Sequence, residues 1–138
     1  MDTIAVLADS RKGNTMRVAA AIAEELGVSV GDIRRPLTDA GILFLGSGTY
    51  GGSPGFWLNR LVSDGTFTGK RVALFATAAL ARDGEKMLAG IAETLEKKGA
   101  TILGKKDPRG MVIAVHYRHP HSDDIDRARQ WAREIAGK

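Results

Sequence analysis

The sequence contains no cysteine, which excludes disulfides, thiolate-bound metal and cysteine nucleophiles. Aromatic residues make up only 6% of the chain, so each one is a candidate for a specific packing or stacking role. No apolar run approaches the ~20 residues needed to cross a bilayer. No basic-then-apolar leader pattern opens the chain, and a cytoplasmic protein is the expectation. Acidic residues are outnumbered, 16 against 20 basic ones, giving a net charge of +4. The cations are nevertheless scattered, with no basic helix and no aromatic-basic sheet pattern, so nucleic acid is not an expected partner. No nucleophile–base pair and no carboxylate pair stands out, which argues against hydrolytic chemistry. The length of 138 residues suits one domain, 1–138, with no repeat or linker.

The most informative stretch is the opening one. An apolar run, Ile4 to Ala8, breaks at Asp9 and becomes small, polar and basic: Ser10, Arg11, Lys12, Gly13, Asn14, Thr15. A helical apolar period follows from Met16 to Leu26, with Gly27 where a left-handed C-cap belongs. This predicts a buried strand, a tight loop and a helix. Such a loop turns backbone N–H groups toward its contents, and the helix N-terminus adds about half a positive charge. With hydroxyl, amide and cationic side chains added, the loop suits an anion, foremost a phosphate. The plainer reading is an ordinary connection in which Asn14 or Thr15 serves as N-cap.

Further along, Val28, Val30 and Ile33 alternate as a short second strand. Residues 34–40 contain Pro36 and leave no room for a helix. Gly41 to Gly46 and Val72 to Ala76 read as fully buried strands. Between them, Ser53-Pro54 forms an N-cap and first-turn pair for a helix carrying Phe56, Trp57, Leu58, Leu61 and Val62. Met87 to Leu95 marks another helix. Ala100–Leu103 and Met111–Val115 read as one edge strand interrupted by a turn at 105–110. A last helix carries Ile125, Ala128, Trp131, Ala132 and Ile135. Continuous apolar strands alternating with amphipathic helices imply an α/β fold with a parallel sheet covered on both faces. Five strands fit the doubly wound order 2-1-3-4-5, with the second helix shortened or absent. The seven residues of 34–40 can span ~24 Å when extended, enough to pass one intervening strand.

The run from Ser10 to Thr15 resembles the phosphate-binding loop of the flavodoxin family, with Lys12 in place of a hydroxyl residue. The loop Ser47, Gly48, Thr49, Tyr50, Gly51, Gly52 and the helix after it resemble the family's second flavin-binding loop. The resemblance spans nearly the whole chain, through the closing stretch His119 to Asp124. It implies bound FMN, with the phosphate in the first loop and the ring near Tyr50. It also implies that the third loop, Thr77, Ala78, Ala79 and Leu80, meets the ring. Here that loop lacks the aromatic and acidic residues common in the family.

Two other motifs compete. Gly46 to Gly51 fits the Gly-x-Gly-x-x-Gly dinucleotide pattern, yet it follows the wrong strand, and Ala76-Thr77 stand where a ribose-binding acid belongs. His116, His119 and His121 cluster in sequence, but no metal site is assigned to them. Trp57 and Trp131 fall at core positions of their helices. The resemblance implies an electron carrier working between a reductase- or ferredoxin-type donor and an acceptor enzyme. The basic balance suggests partners with an acidic docking surface, and a flavin potential less negative than in acidic relatives. An FMN-dependent NAD(P)H reductase of quinones or nitro compounds and a flavin-less interaction module stay open as alternatives.

Overall fold

A computed structural model describes residues 3–11, 13–37, 39–103, 114–117 and 122–137, with backbone alone at 114–117. Lys12, the turn expected at 105–110, His119 and His121 lie outside the described residues. The elements are β1 (Ile4–Asp9), α1 (Asn14–Leu26), β2 (Ile42–Gly48), α2 (Phe56–Asp64), β3 (Arg71–Ala78), α3 (Ala81–Lys97), β4 (Thr101–Ile102), β5 (Ala114–Tyr117) and α4 (Ser122–Ala136).

β1, β2 and β3 lie side by side in parallel, and β4 and β5 pair with opposite ends of β3. The two short strands are thus halves of one interrupted edge, as the sequence suggests. The strand expected at Val28–Ile33 is reduced to a single parallel bridge between Val30 and Val6, with the Gly31 N–H donating to the Val6 carbonyl at 2.9 Å. The reason is local. The Asp32 carboxylate accepts the Arg34 N–H at 2.9 Å and turns the chain out of line immediately after the bridge. No described residue between Gly31 and Ala40 is helical, in keeping with the missing second helix.

Strand alternation distributes the core. Leu7, Leu43, Leu45 and Leu74 face α2 and α3, while Val6, Phe44, Ala73 and Phe75 face α1 and α4. Trp131 of α4 packs edge-on against Phe44 at 5.6 Å, the core role expected for it. Each fully buried large apolar side chain contributes about 1.5–3 kcal/mol. α1 ends at Gly27, whose φ of 72° lets the Val28 N–H reach the Ala23 carbonyl at 2.9 Å.

α2 is anchored from outside its own sequence. Ser53-Pro54 does not cap it. Ser53 is drawn into a turn with Tyr50, and the helix begins after Gly55. The cap is Asp9, whose Oδ2 accepts the N–H groups of Trp57 at 2.8 Å and Leu58 at 3.1 Å. At the other end, the Lys98 ammonium donates to the carbonyls of Val62 and Ser63 at 2.5 and 2.6 Å. An anion at the N-terminus and a cation at the C-terminus both complement the helix dipole.

Candidate functional site

In register, Asp9 stands beside Ser47, and Ser47 beside Ala76. The loops that follow β1, β2 and β3 therefore leave the sheet at one border and enclose a common cleft. This is the carboxyl end of a parallel sheet, where the doubly wound architecture places ligands.

The first loop is shaped by Ser10 and Gly13. Ser10 Oγ accepts the N–H groups of Gly13 at 3.1 Å and Met16 at 3.3 Å. Gly13 has φ 87°, a left-handed conformation that a side chain would strain, and it forms the N-cap of α1 without a side-chain hydrogen bond. The Asn14 or Thr15 cap of the plainer reading is not formed. Among the described residues the N–H groups of Asn14 and Thr15 have no acceptor, and both residues border the cleft, as the first turn of a helix offers free donors.

Thr15 is buried, and its hydroxyl meets that of Thr77 at 2.7 Å, joining the first loop to the end of β3. The Thr49 N–H donates to the Thr77 carbonyl at 3.0 Å, joining the second loop to the same residue. The Thr49 hydroxyl oxygen is buried with no hydrogen-bond partner among the described residues. A buried orphan oxygen is costly unless a ligand or water satisfies it.

Tyr50 closes the cleft. Its Oη accepts the Arg11 N–H at 3.0 Å, and the Arg11 guanidinium lies 4.0 Å from the centre of its ring. This cation–π pair occupies one face of the ring expected to stack on a ligand, and such a pair at an exposed position contributes about 0.5–1 kcal/mol.

Ser10, Arg11, Asn14, Thr15, Thr49 and Tyr50, with Thr77, Ala78 and Ala79 opposite, line one cavity of about 270 Å³. That lies just below the ~300–1,000 Å³ typical of small-molecule pockets, so a ligand the size of FMN would extend past its mouth. The donor set suits a phosphate ester carrying a flat apolar body.

The remaining candidates lie elsewhere. Ser47 is fully buried beneath the loop; its hydroxyl accepts the Gly55 N–H at 2.9 Å and donates to the Gly48 carbonyl at 2.7 Å. Gly48 is overlain by Tyr50, whose Oη would lie 2.6 Å from any Cβ there. Gly51 and Gly52, at φ 60° and 82°, form the two-residue turn between Tyr50 and Ser53 and border a different cavity, between α2 and α3. Leu80 is exposed outside the cleft. Of the dinucleotide-like glycines, Gly46 and Gly48 are required by packing, since a Cβ on Gly46 would fall inside the Phe75 ring, and Gly51 by its turn. Asp9 was the residue that sequence reasoning missed. Its only sequence signal is an acid ending an apolar strand immediately before Ser10.

No family model matches the chain. A curated protein of Methanocaldococcus jannaschii, itself described as uncharacterized, is 25% identical over 134 residues, covering 88% of this chain and 89% of its own. Among solved structures, a flavodoxin from the domain Archaea superposes with TM-score 0.77 at 22% identity, covering 97% of this chain and 96% of that one. A Fusobacterium nucleatum flavodoxin bound to flavin mononucleotide gives TM-score 0.76 at 18% identity, covering 99% and 98%. A WrbA-like flavodoxin from Agrobacterium tumefaciens gives 0.75 at 19%, covering 98% and 96%. The fold is flavodoxin-like.

Proposed function

We propose that this chain binds FMN in the cleft and carries single electrons between a reductase- or ferredoxin-type donor and an acceptor enzyme. One observation carries the reading. Three loops from three adjacent strands meet around one cavity lined by Ser10, Asn14 and Thr15 from the first, Thr49 and Tyr50 from the second and Thr77 to Ala79 from the third. Asn14, Thr15 and Ser10 would hold the phosphate, with Arg11 supplying charge. Tyr50 and the backbone of Ala78 and Ala79 would border the ring. FMN supplies the electron chemistry when bound. The protein's own part is to fix the phosphate, shield one side of the ring and set the surrounding charge. The compartment of this reading is the cytoplasm. Among the described residues no helix is long and apolar enough to cross a membrane.

A reductase acting on quinones or nitro compounds with NAD(P)H is the second reading. What favours it is the third loop, where Ala78, Ala79 and Leu80 themselves carry no aromatic side chain and Leu80 is exposed. Titration of the apoprotein with FMN, followed by quenching of flavin fluorescence, tests both. Saturable 1:1 quenching supports a flavoprotein, and its absence removes the flavin and leaves an interaction module. Steady NAD(P)H oxidation by the loaded protein alone, without a partner, would favour the reductase over the carrier.

A further inference from the structure

A cavity of about 800 Å³ lies away from the cleft, on the flank between residues 33–37 and α2. Its origin is the shortened crossover. The chain passes from Val30 to β2 through a loop in which no described residue is helical, so a loop covers ground that a helix covers on the other crossovers. Ile33, Pro36, Leu37, Trp57 and Leu61 supply the apolar walls. Arg34, Arg35, Arg60 and Lys70 stand against Asp39 and Asp64 in the lining, an excess of two positive charges.

Three features suit this groove to a protein partner. The arginine side chains are accessible, at 65% for Arg34, 82% for Arg35 and 59% for Arg60. Asp64, which pairs with Arg60, is 70% exposed, and Arg60 also lies 5.8 Å from the centre of the Trp57 ring. Asp32, 34% exposed, holds Arg34 with two side-chain bonds and meets Arg35 at 3.9 Å. The Arg60–Asp64 and Arg35–Asp32 pairs are single contacts of the exposed kind that contributes only about 0–1 kcal/mol, so an incoming carboxylate competes there at small cost. Trp and Arg are also the residue types that dominate binding energy at interfaces. Phe56, 60% exposed, packs edge-on to Trp57 at 5.1 Å and extends the apolar surface outward.

We propose that this groove docks an acidic segment of a partner protein. The segment enters as an amphipathic helix, its apolar face on Leu37, Trp57 and Leu61 and its carboxylates on Arg34, Arg35 and Arg60. Helix-in-groove recognition needs an apolar trough with charged borders, and the loop crossover leaves one. Trp57 forms part of the trough while its N–H is held by Asp9, the residue before Ser10. The groove and the cleft share no lining residue. The docking is independent of whether the cleft holds flavin.

The test uses the full chain, ¹⁵N-labelled, with and without FMN. The probe is a synthetic amphipathic helix of about four turns, with leucine on one face and glutamate on the other; its control carries lysine for every glutamate. The acidic peptide is expected to shift the amides of residues 33–37 and 57–65. Its binding should weaken about tenfold or more between low salt and ~0.3 M salt, as charges become screened. Reversing the three exposed arginines (Arg34→Glu, Arg35→Glu, Arg60→Glu) should abolish it while the circular dichroism spectrum stays that of the parent. Equal binding of the lysine peptide, shifts confined to other surfaces, or no shifts at millimolar peptide would overturn the proposal. Binding of octanoate in the groove without binding of the peptide would assign it to a small amphiphilic anion instead. A concentration-dependent dimer, lost on charge reversal, would make a second copy of this chain the occupant. Either result would also overturn the proposal.

Discussion

Replacing Asp9 is the sharpest perturbation of the structure. Asp9 is buried, 7% exposed, and its carboxylate accepts two backbone N–H groups at the start of α2, a nine-residue helix with no side-chain cap of its own. Asp9→Ala leaves both donors without an acceptor and removes a negative charge from the positive end of the helix. Loss of an N-cap alone costs about 0.5–2 kcal/mol, and the charge–dipole interaction in a partly buried setting adds up to ~2 kcal/mol. A destabilisation of about 2–4 kcal/mol is expected, a large fraction of the ~5–15 kcal/mol that holds a domain folded. Asp9→Asn keeps an acceptor and loses the charge, so it should cost roughly half as much. Gly55 supplies an internal control. Its Cα packs against the Asp9 carboxylate so closely that a Cβ would overlap it. Gly55→Ala should therefore be destabilising in the parent but nearly neutral once Asp9 is alanine. The two changes should fall short of additivity by about 1 kcal/mol or more. Urea unfolding of the four proteins of this cycle is the assay. An Asp9→Ala cost below ~0.5 kcal/mol, or strict additivity, would refute the assignment of Asp9 as the cap.

Three further outcomes are expected. Thr15→Val removes one half of the buried hydroxyl pair with Thr77 at nearly constant volume. It should cost about 1–3 kcal/mol of stability in chemical denaturation and weaken FMN measurably, because α1 begins at this pair. Arg11→Gln removes the cation nearest the Tyr50 ring. At ~10 Å and an effective dielectric of ~20, one charge is worth up to ~1.7 kcal/mol before screening, or roughly 70 mV for one electron. The potential of bound FMN should fall by at most that amount in a potentiometric titration; a rise would contradict the electrostatic reasoning. Asp32 is held down to about pKa 2 from 3.8, first by its side-chain hydrogen bond with Arg34 and then by the Arg34 N–H. A depressed carboxyl contributes its stabilisation above the unfolded pKa and loses it as pH falls from about 4 toward 2. Its NMR titration midpoint should sit near 2 in the parent and move up toward the ordinary value in Arg34→Ala.

The sheet was legible because its central strands are uninterrupted apolar runs, buried on both faces, a pattern that survives without any knowledge of neighbours. The Gly27 cap and the amphipathic α1 were legible for the same local reason. The second strand was not, because alternation at Val28 and Val30 says nothing about the Asp32–Arg34 turn that diverts the chain. The start of α2 was misplaced because its cap lies 48 residues upstream of Trp57, and local sequence carries no trace of it. Ser10, Arg11, Asn14, Thr15 and Tyr50, which the resemblance and the strand order together put at one crevice, do line one cavity. Ser47, Gly48, Gly51 and Gly52 do not line that cavity; they take part in buried hydrogen bonds, close packing and a turn, features that local sequence does not reveal. Trp57, read from its spacing as core, is half-buried and borders the flank groove, since the loop crossover leaves it uncovered.

The claim on which the functional reading rests is that the first loop grips a phosphate. Titrating the ¹⁵N-labelled apoprotein with FMN while following its amide resonances tests this directly. The expected result is saturable shifts of Gly13, Asn14 and Thr15 together with those of Tyr50 and Ala78, reproduced at the first loop alone by inorganic phosphate at higher concentration. Saturation by FMN with the Asn14 and Thr15 amides unmoved, or no response to FMN anywhere in the spectrum, would contradict it.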